Sequence, residues 1–396
     1  MAHSGMAGSA PPKRSLSWND PTVRAVVYQV LALGLVALGI WYLVSNTLHN
    51  LETRKIASGF DFLGREAGFA IGESPIYFGP ENTYARAILV GILNTLRVAV
   101  VGIILATLLG TIMGIARLSK NWLVAKVASV YVEVVRNVPL LLQLFFWYAL
   151  ITEIAPGPRQ ALNPITGVFI SNRGIKVPAP TDHFAFDLAG IGFLLAIVVG
   201  VFVARWARKR QEATGQAFPL IRTNIALLIG LPVVGWLIGG APMELDVPKL
   251  AGFNFSGGAT LTPEYAALLL GLVIYTGGFI AEVVRSGIQA VYYGQWEAAS
   301  ALGLKRSMVL RLVVLPQALR VIIPPMTSQY LNITKNSSLA IAIGYPDIVS
   351  IANTTLNQTG QAIEGILIIM AVYLSVSLSI SLFMNWYNKQ IALVER

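Results

Sequence analysis

Residues 292–311 read YYGQWEAASALGLKRSMVLR and lie between two apolar segments, each long enough to cross a bilayer. Within the stretch, Glu297-Ala298-Ala299-Ser300-Ala301-Leu302-Gly303 sets strong helix formers between an acid where a helix begins and a glycine where it stops. The pattern predicts a helix of about two turns, alone in a polar loop. So short a helix is marginal in water, so another surface has to hold it, and a groove on a partner protein is the economical choice. The plainer alternative is a surface loop that happens to be helical.

On either side the chain is composed for a membrane. Of its 396 residues 55% are hydrophobic and only 12% charged, and the mean hydropathy is +0.65, more apolar surface than a soluble fold can hide. The net charge of +10 raises nucleic acid as a partner, but Lys and Arg are dispersed between apolar segments with no basic face, which fits topology control and anionic lipid instead. No cysteine is present, so disulfides, thiolate chemistry and cysteine metal sites are excluded. His3, His49 and His183 stand far apart in polar surroundings, and neither a metal site nor a catalytic cluster is expected.

Apolar runs predict eight spans, at 25–48, 84–116, 123–152, 188–204, 223–243, 261–288, 321–351 and 365–387. The Gly, Ala, Ser and Pro-rich residues 1–24 read as a disordered cytoplasmic tail, and 49–83 as an external loop. The first span is too long for a signal peptide's apolar region and lacks a cleavage pattern, so it is expected to be retained. With Arg86, Lys126 and Arg285 at span ends counted to the adjoining side, the span order places 18 of the 29 Lys and Arg inside, eight outside and three (Arg97, Arg136 and Lys335) within spans. That bias, densest at Arg205, Arg208, Lys209 and Arg210, puts both termini in the cytoplasm.

Three features inside the spans bear on chemistry. Glu-Val-Val-Arg occurs twice, at Glu133 to Arg136 and Glu282 to Arg285, and acid and base three apart on a helix face one another and partly neutralise. Lys335 is a charge near the middle of 321–351, beside Asn332, Asn336, Ser337 and Ser338. A charge there costs at least about 2.5 kcal/mol on insertion scales, so the polar strip is a candidate lining for a translocation pathway that meets a substrate carboxylate. Its rival is a structural ion pair of Lys335 with Glu133, Glu282 or Asp347. Arg97, closer to the outer interface, is expected to snorkel. Pro324-Pro325 is expected to break its helix, and the spacings Gly110-xxx-Gly114 and Gly235-xxx-Gly239 to pack helices closely. With no Gly-Lys pair anywhere there is no Walker A loop, so an ATP-driven process would need its ATPase elsewhere.

Glu297-Ala298-Ala299, then Gly303, then Leu315-Pro316, resembles the EAA signature of ABC-importer permeases. Ala281-Glu282-Val283-Val284-Arg285 and Gly294-Gln295 upstream, with Leu315 to Arg320 and Lys335-Asn336-Ser337-Ser338-Leu339 downstream, are similar to the polar-amino-acid branch of that family. So is YVEVVRNVPLLLQ at 131–143; the departure is Asn336-Ser337-Ser338, where the branch more often has Asp or Asn and then Thr-Ser. The resemblance covers about 91–150 and 261–387, and its overall plan matches the long permeases of general L-amino acid importers.

The resemblance implies an all-α integral membrane protein with a five-helix type I importer core, split into 84–153 and 261–396. An extra N-terminal helix and a two-helix insertion at 154–260 complete it. It further implies a cytoplasmic coupling loop at about 290–320, in which Gly294, Glu297, Ala298, Ala299, Leu302 and Gly303 dock in an ATPase groove. Glu133, Arg136, Pro139, Gln143, Glu282, Arg285 and Pro316 become structural motif positions. The implied role is a non-enzymatic permease subunit in the bacterial inner membrane, carrying amino acids, with no cofactor of its own because ATP binds the ATPase. The implied partners are a homologous permease, two ATPase subunits and a periplasmic solute-binding protein, with no nucleic acid. Two rivals are a secondary transporter or channel working without an ATPase, and a membrane anchor or scaffold. The first calls for mid-membrane coupling carboxylates, whereas the acids here sit at span ends, and polar intramembrane residues count against the second.

Overall fold

Long apolar runs satisfy their own backbone as helices, and the computed structural model, which describes residues 21–53, 58–216 and 218–391, contains twelve α-helices among those residues. In chain order they are α1 (Pro21–Thr53), α2 (Tyr84–Ala116), α3 (Trp122–Asn137), α4 (Leu140–Ala149), α5 (Phe184–Thr214) and α6 (Leu220–Ile238). There follow α7 (Pro263–Gln289), α8 (Tyr293–Ala301), α9 (Arg306–Val309), α10 (Leu315–Asn336), α11 (Ile348–Thr359) and α12 (Ala362–Ile391). Six helical segments are long and apolar enough to span a bilayer, and the bent pair α3 and α4 makes a seventh. The eighth expected span, at 223–243, is the shorter apolar helix α6. The expected tail at 1–24 lies, up to residue 20, outside the described residues.

Two expected spans are not single helices. At 123–152 the axis turns by 105° between α3 and α4, because Pro139 donates no backbone hydrogen bond and drives Val138 to an extended conformation. At 321–351, α10 gives way to a 3-10 turn over Ser337–Ile343, Gly344 takes a left-handed φ of 80°, and α11 starts afresh. Asp347 caps it, its carboxylate accepting from the Ser350 amide at 2.8 Å. The expected break at Pro324-Pro325 does not occur. Both prolines lie inside α10, where buried Ile322, Ile323 and Met326 hold the turn in the core.

The core is centred on α2 and α7, which run parallel. A Cβ at Gly110 would stand 2.5 Å from the Ile280 Cβ, and one at Gly114 2.6 Å from the Ala281 carbonyl oxygen, so the glycine pair lets the two backbones approach as the spacing predicts. Opposite to them in direction, α10 sets Ile333 on Gly102 and Tyr330 on Thr107, whose hydroxyl donates to the tyrosine oxygen at 3.1 Å. The hairpin of α5 and α6 packs the same way: Gly235 abuts the Leu188 carbonyl, Gly239 abuts Ala185 and Gly192 abuts the Leu231 carbonyl.

The all-α expectation holds for the spans but not for the segments flanking the α5–α6 hairpin. These form β1 (Leu162–Ile165), β2 (Val168–Ser171), β3 (Gly174–Val177), β4 (Ala179–Pro180), β5 (Leu245–Asp246), β6 (Lys249–Ala251), β7 (Asn254–Ser256) and β8 (Ala259–Leu261). One antiparallel sheet has the order β1-β2-β3-β8, and β4 pairs with β5 and β6 with β7. Ile175 of β3 lies opposite Leu261 of β8, so strands from before α5 and after α6 zip the two flanks of the hairpin together.

Candidate coupling loop and translocation site

The stretch at 292–311 contains the expected isolated helix, displaced toward the N-terminus. It begins at Tyr293 instead of Glu297, so Glu297 lies in the middle of α8 and no acid occupies its first turn. The glycine stop stands: Gly303 has a left-handed φ of 75°, which an L side chain rarely adopts. One face of α8 is anchored, with Ala299 only 4% exposed and Trp296 against the same core as Val291, Leu304 and Val309. Gln317 of α10 reaches back, its amide donating to the Gln295 side chain at 3.4 Å. The other face is open. Glu297 and Ala298 are exposed, as are Tyr292 (79%), Tyr293 (71%) and Leu302 (81%), and Gly294 leaves room for the Tyr292 ring, 2.6 Å from where a Cβ would sit. An open face rich in large apolar side chains on a polar loop is the form of a docking surface.

The two Glu-Val-Val-Arg copies behave differently. Glu282 and Arg285 are paired as expected, and Arg117, at the end of α2, joins the same carboxylate. Arg285 also donates to the Gln289 side chain, so the ends of α2 and α7 are tied by one network. Glu133 and Arg136 do not pair; Arg136 instead lies over the Phe279 ring, 5.1 Å from its centroid. With Arg117, Val132 and Asn137 they line a cleft of about 290 Å³. At the bend, Pro139 opens the helix and Gln143 closes the gap, its buried amide donating to the carbonyls of Val135 (2.9 Å) and Val138 (3.0 Å). That accounts for two motif positions by backbone satisfaction. Pro316 follows directly on the π-turn Leu310–Val314 that joins α9 to α10, where the regular backbone ladder is already interrupted.

Lys335 occupies the last turn of α10, inside the apolar helical segment Arg306–Ile343 that is long enough to cross a bilayer, and because Ile333 meets Gly102 it stands within about a turn of the level of Arg97 on α2. A cation there is favoured by the helix C-terminus. Among the described residues no ion pair involves Lys335; Glu282 is engaged with arginines and Asp347 with the start of α11. Lys335 and Asn332 are exposed and Asn336 half-buried. Ser337 is buried, and it and Ser338 turn inward to their own backbone, donating to the carbonyls of Thr334 and Lys335 at 2.7 Å. Only part of the expected strip is therefore open.

Arg97 does not snorkel to water. It pairs with Glu73 at 2.5 Å and lies over the Tyr265 ring, 4.2 Å from the centroid. Glu73 also accepts from Thr262, the cap of α7, and its backbone carbonyl accepts from Asn94 at 2.9 Å. Burial pushes the Glu73 carboxyl above the ordinary range in spite of Thr262 and Arg97, which lower it. The loop before α2 is thus a folded plug at the end opposite α8. Arg97 was legible as a charge inside a span, whereas nothing local to Glu73 marks it as the partner.

A family model described as "Binding-protein-dependent transport system inner membrane component" matches residues 196–392. The chain is 52% identical over 377 residues to the general L-amino acid transport system permease protein AapQ of Rhizobium johnstonii, covering 95% of this chain and 94% of that one. It is also 52% identical over 385 residues to the putative amino-acid ABC transporter permease protein YhdX of Escherichia coli, with 97% and 98% covered. To the glutamate/glutamine/aspartate/asparagine transport system permease protein BztB of Rhodobacter capsulatus it is 40% identical over 424 residues, with 98% and 99% covered. A solved structure titled "Crystal structure of an amino acid ABC transporter with histidines" aligns with a TM-score of 0.46 at 20% identity, covering 78% of this chain and 95% of that one. Similarity at this level over nearly the whole length, residues 154–260 included, places the chain in the family of binding-protein-dependent transport system inner membrane components, the multi-pass permease subunits of ABC transporters.

Proposed function

We propose that the chain is the permease subunit of an ATP-driven importer for polar L-amino acids in the bacterial inner membrane, with both termini cytoplasmic. The observation that carries this reading is α8, a helix anchored on one face and open on the other, in a chain whose full-length relatives are named amino-acid permeases. On this reading α8 docks in an ATPase groove through Tyr293, Glu297, Ala298 and Leu302, and Gly303 sets the exit angle of the chain. The complex holds a homologous permease, two ATPase subunits, which bind ATP, and an external solute-binding protein. Closure of the ATPases moves α8 and, through Gln295 and Gln317, the base of α10, so that the pathway alternates between inward-facing and outward-facing states. Asn332, Lys335 and Asn336 offer the substrate carboxylate donors at the outer end of α10, where no carboxylate among the described residues pairs with the lysine.

An ATPase-independent secondary transporter or channel is the alternative, and it leaves the open face of α8 without a role. The deciding experiment reconstitutes the full complex and measures substrate-stimulated ATP hydrolysis. Glu297→Lys places the wrong charge on the docking face, and Gly303→Asp forces a side chain into a left-handed turn. Both should abolish stimulation while the variant chain still inserts. Stimulation at the wild-type level in both variants rules out the docking role.

A further inference from the structure

We propose that the cleft between the α5–α6 hairpin and the end of α12 is a binding site for an anionic phospholipid. The cleft has a volume of about 510 Å³. Its walls change character along the helices: Ile197, Val201, Leu228 and Phe383 line it toward the middle of the spans, Asn224 stands level with Gly200, and Arg205, Arg208 and Trp386 follow toward the ends of α5 and α12. From Ile197 to Arg208 the rise along α5 is roughly 16 Å, which separates an acyl-chain compartment from a headgroup compartment.

Three independent features favour a lipid with a phosphate over any other occupant. Charge is the first. Lys209 and Arg210 adjoin Arg205 and Arg208, Glu212 is the single acid in the last turns of α5, and Lys389 follows on α12. Basic pockets between spans at this depth match phosphate in geometry and sign. The second is the aromatic level: Trp386 lines the cleft near the end of α12, and Trp206, next to Arg205 in the sequence of α5, meets Phe218 edge-on at 5.3 Å and carries Arg210 over its ring, the pattern of a headgroup belt. Third, the cleft is hollow because the residues facing it from α5 are small. Ala196, Gly200 and Ala204 form that wall. A lipid held there fixes the insertion hairpin to α12, which direct packing alone leaves open.

The test uses the full chain purified in a mild detergent and titrated with dioleoyl-phosphatidylglycerol or dioleoyl-phosphatidylcholine, following lipid retention by native mass spectrometry. Phosphatidylglycerol should be retained in preference to phosphatidylcholine. Arg205→Gln should lose roughly five-fold in apparent affinity for it. Leu228→Trp fills the apolar end and leaves both arginines, and it should lose retention of the same single lipid. Inorganic phosphate should not compete at millimolar concentration. Equal retention of the two lipids, unchanged retention in both variants, or full competition by inorganic phosphate would overturn the assignment. Loss of the bound lipid when the chain is assembled with its partner subunits would also do so, because it would make the cleft a protein interface.

Discussion

Replacing Gly114 by alanine measures how closely α2 and α7 approach. The new Cβ would stand 2.6 Å from the Ala281 carbonyl oxygen and 2.9 Å from the Val284 Cβ. Neither is a flexible side-chain tip, so the helices themselves must part. Overpacking of this kind costs about 1–3 kcal/mol. Removing a helical glycine contributes the opposite sign, up to about 1 kcal/mol. Gly190 in α5 separates the two, because nothing lies within 4 Å of a Cβ built there and Gly190→Ala carries the propensity gain without the clash. The difference between the variants therefore isolates the packing cost, and Gly114→Ala should be the less stable by about 1–3 kcal/mol. Thermal unfolding of both variants in one detergent reads it. Gly114→Ala melting at or above Gly190→Ala refutes the close approach.

Lys335→Met should leave complex yield and basal ATPase activity near wild type, since no described carboxylate is stranded, while amino-acid uptake falls; collapse of the complex would instead mark a structural role. Glu73 gives a pH signature. Its folded pKa is raised by burial, so its contribution to stability is fully present below the ordinary glutamate range and is lost as pH rises through the folded value. Melting of the wild type should accordingly decline through that window more than melting of Glu73→Gln, and parallel pH profiles would refute the assignment. The cysteine-free chain also permits single-cysteine labelling: Thr214→Cys should react from the cytoplasm and Ser256→Cys from outside, both positions being exposed, and outside reaction at Thr214 would reverse the hairpin. Ser171, equally external by sequence, is a poor probe because it is 1% exposed within its sheet.

What the sequence determined by itself is the membrane class, the order of the apolar runs, the isolated helix ending at Gly303 and the motif positions, because composition, helix stops and glycine spacing are local properties. Glu282–Arg285 and the glycine seams were legible for the same reason: three- and four-residue spacings place their partners on one helix face. Only the tertiary structure decided the rest. Pro139 broke its helix while Pro324 and Pro325 did not, since the outcome depends on what neighbouring segments pack against or donate to the freed carbonyls. Glu133 and Arg136 share the spacing of Glu282 and Arg285 yet stay apart, because Phe279 of α7 offers the arginine a ring. Lys335 ends α10 with no ion pair among the described residues, and Arg97 found Glu73 across an intervening loop. Which charge meets which is set by the contact of distant segments, and no local pattern carries that information.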